Sequence, residues 1–422
     1  MTISNRLPRV PAQFRSLYGG LLAISLLFGA NFTAMGAVLP QMIRSFDWSY
    51  TAAATVLAAG SFGYFGATFA SGFVVRRIGL RVTAVVGLVL IAGALALFGA
   101  TPALAANVLL HGLVGVGSGC VEVVINYGAV RMERDGRSQL MNLLHAAFSV
   151  GGMLGPLAAA RLLDTGAPWQ TVFRIIATGT ALAAIWLAML PFHRLDERPP
   201  STRRAARRAG AASARGNGER SAHAVRPAEL PFDPVLVALC VALLFIYVGA
   251  EVGVSGWIGE YFVSVLGRSP AQGANLVTLF WGGILAGRLL LAFCYTGRQS
   301  ALAILALAGV TAGGLIVAVA AGGPLAAAAG FVAAGFGFSS IYPLVMSIVG
   351  SYVPPRRQSM VVGFASSGGG IGSLVFPFLV AAVAQNTGIR RGFLLYVALA
   401  LLLMLLALAA MLRTRGIDRA RP

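Results

Sequence analysis

Runs of about twenty apolar residues, following one another with only short polar turns between them, constrain this chain more than any other feature. A helix of about twenty residues crosses the hydrocarbon layer of a bilayer. Such runs lie at 17–42, 51–75, 82–101, 104–130, 138–163 and 171–192, and again at 234–262, 272–294, 300–321, 324–350, 359–383 and 391–413. Of the 422 residues, 58% are hydrophobic and 11% charged, against about 45–50% and about 25% in soluble domains. No water-soluble fold buries that much apolar surface, so the solvent must be lipid. The 53 glycines suit helices that pack backbone against backbone in a bilayer. The expected fold is an all-α membrane protein of twelve transmembrane helices in two six-helix bundles.

The spans divide the chain into an N-tail (1–16), a first bundle (17–192), a linker (193–233), a second bundle (234–413) and a C-tail (414–422). The linker is rich in Arg, Ala, Ser and Pro and has no apolar pattern to bury, so it reads as a disordered polar segment. A net charge of +19 could suggest nucleic-acid binding. The basic residues, all 32 of them Arg, instead sit mainly in turns between apolar runs. Twenty-five fall on the side of the two tails and the linker, and six on the other side. Without the linker the ratio is still 16 to 6, which places both termini in the cytoplasm by the positive-inside rule. The first span follows Arg6, Arg9 and Arg15, is of spanning length and lacks a small-residue cleavage signature, so it reads as a span and not a signal peptide.

Enzyme chemistry finds no foothold. Cys120, Cys240 and Cys294 fall singly in apolar segments, so neither a disulfide framework nor a metal site is indicated. There is no Gly-x-Ser-x-Gly, no His-Glu-x-x-His and no phosphate-cradling loop. No cofactor is expected, and any uphill work should draw on an ion gradient. Internal similarity supports a duplicated design. Gly112, Gly117 and Gly119 recur 218 residues later as Gly330, Gly335 and Gly337, and Ser149, Gly151 and Gly152 recur as Ser367, Gly369 and Gly370. Gly79 matches Gly297 at the same offset. Two parallel repeats of this kind place a solute site at their interface near mid-membrane.

These features resemble the major facilitator superfamily. Gly72-Phe73-Val74-Val75-Arg76-Arg77-Ile78-Gly79-Leu80-Arg81 is similar to the superfamily's loop after the second span, with Arg76 where an Asp is usual. Within the superfamily, the chain resembles the fucose permease branch of sugar–proton symporters. Four places carry the likeness: Glu122 followed by Asn126, the run Asn142-Leu143-Leu144-His145 ending at Phe148-Ser149, the stretch Tyr247-Val248-Gly249-Ala250-Glu251, and Ser339-Ser340-Ile341-Tyr342-Pro343 with the triplet Gly368-Gly369-Gly370. His145 and Glu251 stand where that branch has Gln. Gly36 stands where the fucose permease has an aspartate before a Pro-Gln pair, here Pro40-Gln41. The resemblance implies a monomeric proton-coupled transporter of a small polar solute, with a monosaccharide as the expected cargo, in the inner (plasma) membrane. A proton-linked exporter of drugs or metabolites is the alternative, since Gly151-Gly152-Met153-Leu154-Gly155-Pro156 contains the core of an exporter motif.

Ionisable groups within a span cost about 2.5–3.5 kcal/mol on insertion scales and are functional candidates by default. Glu122 shares a helical face with Ser118, Gly119 and Asn126, a small polar stripe suited to a cavity wall. It is the candidate proton carrier, or else a structural carboxylate bridging to Arg288 or His145. Asn126, Asn142, His145, Glu251 and Tyr342 are candidate solute ligands. Glu251 could equally pair with Arg288, and His145 could be a packing residue. Arg288, with Arg77, Gly72 and Gly79, is assigned to gating or to an interhelical ion pair. Glu260, near the outer end of its helix, is expected to be a solvated interfacial residue. Trp257, Trp281, Tyr127, Tyr247 and Tyr342 offer faces on which a sugar ring could stack, though such aromatics more often serve packing. The arginine asymmetry makes a direct prediction: a phosphatase or fluorescent reporter fused at Gly216 should report the cytosol, and a periplasmic signal there would overturn the orientation.

Overall fold

All twelve apolar runs become helices in the computed structural model, which describes residues 10–132, 139–192, 195, 232–294 and 299–419. The linker at 196–231, Gly297, the side chains of Arg76 and Asn142 and the surroundings of Gly72 lie outside the described residues. The spans are α1 (Arg15–Phe46), α2 (Tyr50–Ala70), α3 (Arg77–Leu97), α4 (Leu104–Met132), α5 (Gln139–Asp164) and α6 (Gln170–Ala188). The second bundle holds α7 (Pro234–Leu266), α8 (Pro270–Cys294), α9 (Ser300–Ala320), α10 (Pro324–Tyr352), α11 (Pro355–Thr387) and α12 (Ile389–Arg419). An even number of spans leaves both ends of the chain on one face of the bundle, called here the terminal side. The opposite face is the distal side. Local chemistry sets several ends. Ser49 caps α2 by accepting from the Ala52 N–H, and Asp233 caps α7 by accepting from Val235 and Leu236. Asp233 also binds Arg413 of α12 at 2.7 Å, tying the first and last spans of the second bundle together. Partial burial opposes its charge, but Arg413 and the two N–H groups hold the Asp233 carboxyl below its ordinary range.

Spans α2 and α3 are joined without a conventional loop. Helical hydrogen bonding runs almost unbroken from Tyr50 to Leu97, and only Gly79 leaves helical geometry, at φ 81° and ψ 165°. A Cβ there would meet open space, so glycine is required for its backbone angle and not for room. Gly79 thus serves as the hinge that turns the chain back, and Arg77 beside it is exposed. In α10 the helix breaks between Phe338 and Ile341. Pro343 has no N–H to offer the carbonyl of Ser339 four residues earlier, so the break exposes a backbone acceptor inside the membrane.

The two bundles pack in the same way. α1 lies on α5 as α7 lies on α11, α3 lies on α6 as α9 lies on α12, and the bundles meet through α5 on α8, α11 on α2 and α1 on α7. Glycines set the approach distances. A Cβ on Gly115 would overlap the carbonyl oxygen of Gly60, and one on Gly335 that of Phe280. One on Gly117 would overlap the oxygen of Gly87, and one on Gly337 would lie 2.6 Å from that of Leu307. The equivalent positions in α4 and α10 are therefore 220 residues apart. The 218-residue offset read from the glycines alone pairs the correct helices but slips two residues in this one. In α5 and α11, Gly151 meets the Leu26 carbonyl oxygen as Gly372 meets that of Phe245, so the 218 offset slips there too, while Gly152 faces Trp281 and Gly370 faces Phe65 across the interface between bundles.

Backbone-to-backbone contacts of this kind leave no room for side chains. Gly115→Leu should lower stability by about 1–3 kcal/mol, read as a lower melting temperature in detergent. Gly93→Ala, with no atom within 4 Å of its added carbon, should stay within about 0.5 kcal/mol. Equal losses at the two sites would contradict the packing argument.

Candidate functional site

The polar side chains singled out above converge where the bundles face each other at mid-membrane. On α4, Glu122 Oε1 accepts from Asn126 Nδ2 at 3.0 Å, one helical turn away, and both residues are partly open. Asn126 Oδ1 is buried and has no partner among the described residues. Its amide is held at one end only, which leaves an acceptor aimed at whatever enters. Tyr64 of α2 stands near both Glu122 and Tyr342, so the first bundle's carboxylate and the second bundle's phenol share one neighbourhood. Tyr342 is 37% exposed and its hydroxyl lies 2.9 Å from Ser366 Oγ of α11.

Arg288 on α8 is the hub of the opposite wall. Its Nε donates to the Ser339 carbonyl at 3.0 Å, the acceptor freed by the break before Pro343. One terminal nitrogen donates to Ser149 Oγ of α5 at 2.6 Å, across the bundle interface. The other lies 4.0 Å from Glu251 Oε1 of α7. Glu251 itself is 8% exposed, so the guanidinium meets a buried carboxylate, a backbone carbonyl and a hydroxyl from three different helices. Ser149 in turn donates to the His145 carbonyl one turn earlier. His145 is exposed to the space between the bundles, and both Glu122 and Arg288 are close enough to act on it electrostatically. The structure therefore brings Glu122, Asn126, His145, Glu251, Arg288 and Tyr342 to one interface. Arg77 and Gly79 lie away from it, at the α2–α3 turn.

The aromatic candidates separate. Trp281 is 2% exposed, packs on Phe32 and Phe148 of the first bundle, and donates to Ser255 Oγ at 2.8 Å, so it is a packed interface residue. Trp257 and Tyr247 are buried, and Tyr127 accepts from Arg131 on the terminal side. Of the five, Tyr342 alone is open to the interface. Sequence reasoning did not single out Tyr64, whose one mark is its place four residues after Gly60 on the face that meets α4. It used Ser149 and Ser339 as motif letters and missed them as the ligands of Arg288.

Two departures concern the distal side. Gly36, where an acid was expected by analogy, is packed directly on α7: a Cβ there would overlap the Ser255 carbonyl oxygen. Pro40 leaves the Gly36 carbonyl without its helical donor, and Gly259 approaches that oxygen. Glycine at 36 follows from this contact. Glu260 is not solvated as expected. It is 3% exposed and accepts from Tyr50 Oη at 3.1 Å and from Ser264 Oγ. It is buried because α2 and α7 close over it, a long-range contact invisible in a helix-end position. The backbone N–H of Tyr50 donates to Gln385 Oε1 of α11 at 2.8 Å. The distal ends of the bundles are thus sealed to each other by hydrogen bonds, while His145 and Tyr342, nearer the terminal ends of their helices, are exposed.

The described residues contain no group of three or more His, Cys, Asp or Glu placed to hold a metal ion. The family model described as Major Facilitator Superfamily matches residues 21–329 and 266–421. A glucose/galactose transporter of Brucella abortus is 26% identical over 406 residues, covering 90% of this chain and 91% of that one. A solved D-xylose–proton symporter superposes with a TM-score of 0.72 at 15% identity, covering 94% and 97%. FucP, a transporter of the same superfamily solved in an outward conformation, gives 0.57 at 19%, covering 94% and 99%. Removing Arg288 leaves the buried Glu251 carboxylate without its counter-charge, so Arg288→Gln should cost about 1–3 kcal/mol. The double variant Arg288→Gln with Glu251→Gln should recover part of that loss in thermal melting. A double variant no more stable than the single one would refute the pairing.

Proposed function

Since this chain belongs to the Major Facilitator Superfamily, we propose that it is a secondary active transporter that carries a small polar solute, a monosaccharide, together with a proton. Several facts support the reading. The interface presents hydroxyl, amide, carboxylate and imidazole groups in a chain that is 58% hydrophobic, which suits a hydroxylated solute better than a greasy one. Asn126 Oδ1 is a buried acceptor without a partner among the described residues, and filling it with a solute hydroxyl offsets its desolvation. The Brucella abortus relative is named for glucose and galactose, and the superposed symporter for xylose and protons. Asn126, Asn142, His145 and Tyr342 are assigned to solute, with Glu251 and Arg288 forming the opposite wall and the gating pair.

The observation that carries the proton assignment is the difference between the two carboxylates. Glu251 faces a guanidinium at 4.0 Å, and protonating it would leave that cation without its counter-charge. Glu122 is held by a neutral amide at 3.0 Å. It can take up and release a proton without breaking an ion pair, and it sits beside the solute acceptor Asn126. Loading of Glu122 and of the solute site then favours the same rearrangement of the two bundles, which is coupling by shared preference for one state. The arginine asymmetry places the terminal side, with both tails and the linker, in the cytoplasm. The molecule is then closed outward and open inward, as a monomer in the inner membrane.

Proteoliposomes test this directly. The intact protein should accumulate labelled glucose, galactose, xylose or fucose when an inward pH difference is imposed, and lose accumulation when it is collapsed. Glu122→Gln should lose accumulation yet keep exchange of solute between two equally loaded sides. Concentrative uptake that survives in Glu122→Gln removes the proton role. Failure with every sugar alongside proton-driven efflux of a drug or organic anion would favour the exporter reading.

A further inference from the structure

The distal seal contains a carboxyl group that the transport site does not use. Glu260 lies two and a half turns beyond Glu251 on α7, well outside the mid-membrane cluster. It is 3% exposed. Both of its hydrogen bonds, from Tyr50 Oη and Ser264 Oγ, go to Oε1. Oε2 is buried and has no partner among the described residues. We propose that Glu260 is a second proton site, one that holds the distal seal shut when protonated and releases it when ionised.

The reasoning is electrostatic and steric. A carboxylate anion needs several donors to replace its water, and a buried one that lacks them is strongly disfavoured. Here one oxygen has two hydroxyl donors and the other has none. The neutral acid suits this setting better: protonated at Oε1 it donates to Ser264 Oγ while Tyr50 Oη still donates to it, and the bare Oε2 is then an uncharged carbonyl oxygen, which costs less to bury without a partner than a carboxylate oxygen does. The groups that face Glu260 offer no compensating charge. Ser264 and Trp257 share its helix, and Tyr50 reaches it from α2. Gln385 of α11 binds the Tyr50 backbone and is neutral. Gly273 of α8 packs on Gly259 without a charge. Arg390 at the start of α12 is committed to the Val319 carbonyl. Arg44 of α1 acts on Glu260 from a distance but is exposed and makes no ion pair with it among the described residues. Water screens such a charge.

The seal also ties the two bundles together. The Tyr50–Glu260 bond joins the first bundle to the second, beside the backbone contact of Gly36 with Ser255 and Gly259. Tyr50 further packs edge-on against Trp257 at 5.7 Å between ring centres. Opening the distal side breaks the Tyr50 bond and admits water to Glu260, where the anion is solvated. A proton taken up from the distal side therefore favours closure. It stays sealed away from the mid-membrane cavity and returns to the same side on reopening. This proton is not cargo; it sets the resting balance between the two states by the acidity of the distal compartment. That the distal compartment is the cell exterior rests on the orientation proposed above.

The measurement needs neither solute nor gradient, so it stands apart from the fate of the Glu122 reading. The three native cysteines are changed to serine, and spin labels are placed at Ala103→Cys and Gly322→Cys. Both positions are exposed in distal turns of opposite bundles. Electron–electron distances are then recorded on the purified full-length protein from pH 5 to pH 8.5. The long-distance population should grow as pH rises. Glu260→Gln, which keeps the shape and cannot ionise, should hold the short distance at every pH. Tyr50→Phe, which removes one hydrogen bond from the closed state only, should raise the long-distance population about fivefold at every pH. Distances that ignore pH, or a Glu260→Gln protein that follows pH like its parent, would overturn the proposal. If Glu260→Gln does not fold, Tyr50→Phe decides: an unchanged distribution overturns it.

Discussion

Close approach of helix backbones is the constraint from which the rest of this molecule follows. In lipid there is no hydrophobic gain from bringing two helices together, so they associate through packing and through the few polar bonds they share. The glycine contacts of α4 with α2 and α3, and of α10 with α8 and α9, bring carbonyl oxygens to where a side chain would otherwise stand. Each bundle is thereby held as a rigid unit. Between the bundles the same device is used more sparingly, at Gly36 and Gly259, while Gly152 and Gly370 instead make room for the rings of Trp281 and Phe65. An interface built this way can part while the bundles keep their shape, as the proposed transport cycle would require.

Within that frame, Arg288 shows how a membrane interior tolerates a permanent cation. Pro343 strips a carbonyl of its helical donor, the helix breaks at Ser339–Ser340, and the guanidinium fills the vacancy while also meeting Glu251 and Ser149. A defect in one helix and a charge on another are each costly alone and satisfy each other together. Because Ser149 belongs to the first bundle, this network also spans the interface. In the proposed transport cycle, parting the bundles would break that hydrogen bond.

Much of this was legible in the chain itself. Span number and approximate ends follow from the length of apolar runs, since a bilayer imposes one thickness on every helix. The in-membrane ionisable residues announced themselves because insertion penalises them, and Glu122, His145, Glu251 and Arg288 do meet at one interface. The turn at Gly79 was visible as a glycine between arginines, though not that only its backbone angle requires glycine. The repeat was visible too, but its register in α4 and α10 was not. Glycines spaced by two are interchangeable in a sequence, whereas only one register puts a glycine against a given carbonyl.

The sequence by itself determined the solvent, the fold class and the set of residues too polar to be there by chance, because those depend on composition and helical period alone. Tertiary structure decided the rest. Glu260 looks like a solvated helix-end residue until Tyr50, 210 positions away, closes over it. Gly36 looks like a lost acid until α7 is seen to occupy the space. Glu122 and Glu251 look alike until one is found beside an amide and the other beside a guanidinium. In each case the deciding neighbour comes from a different helix, and no local pattern encodes which helix faces which.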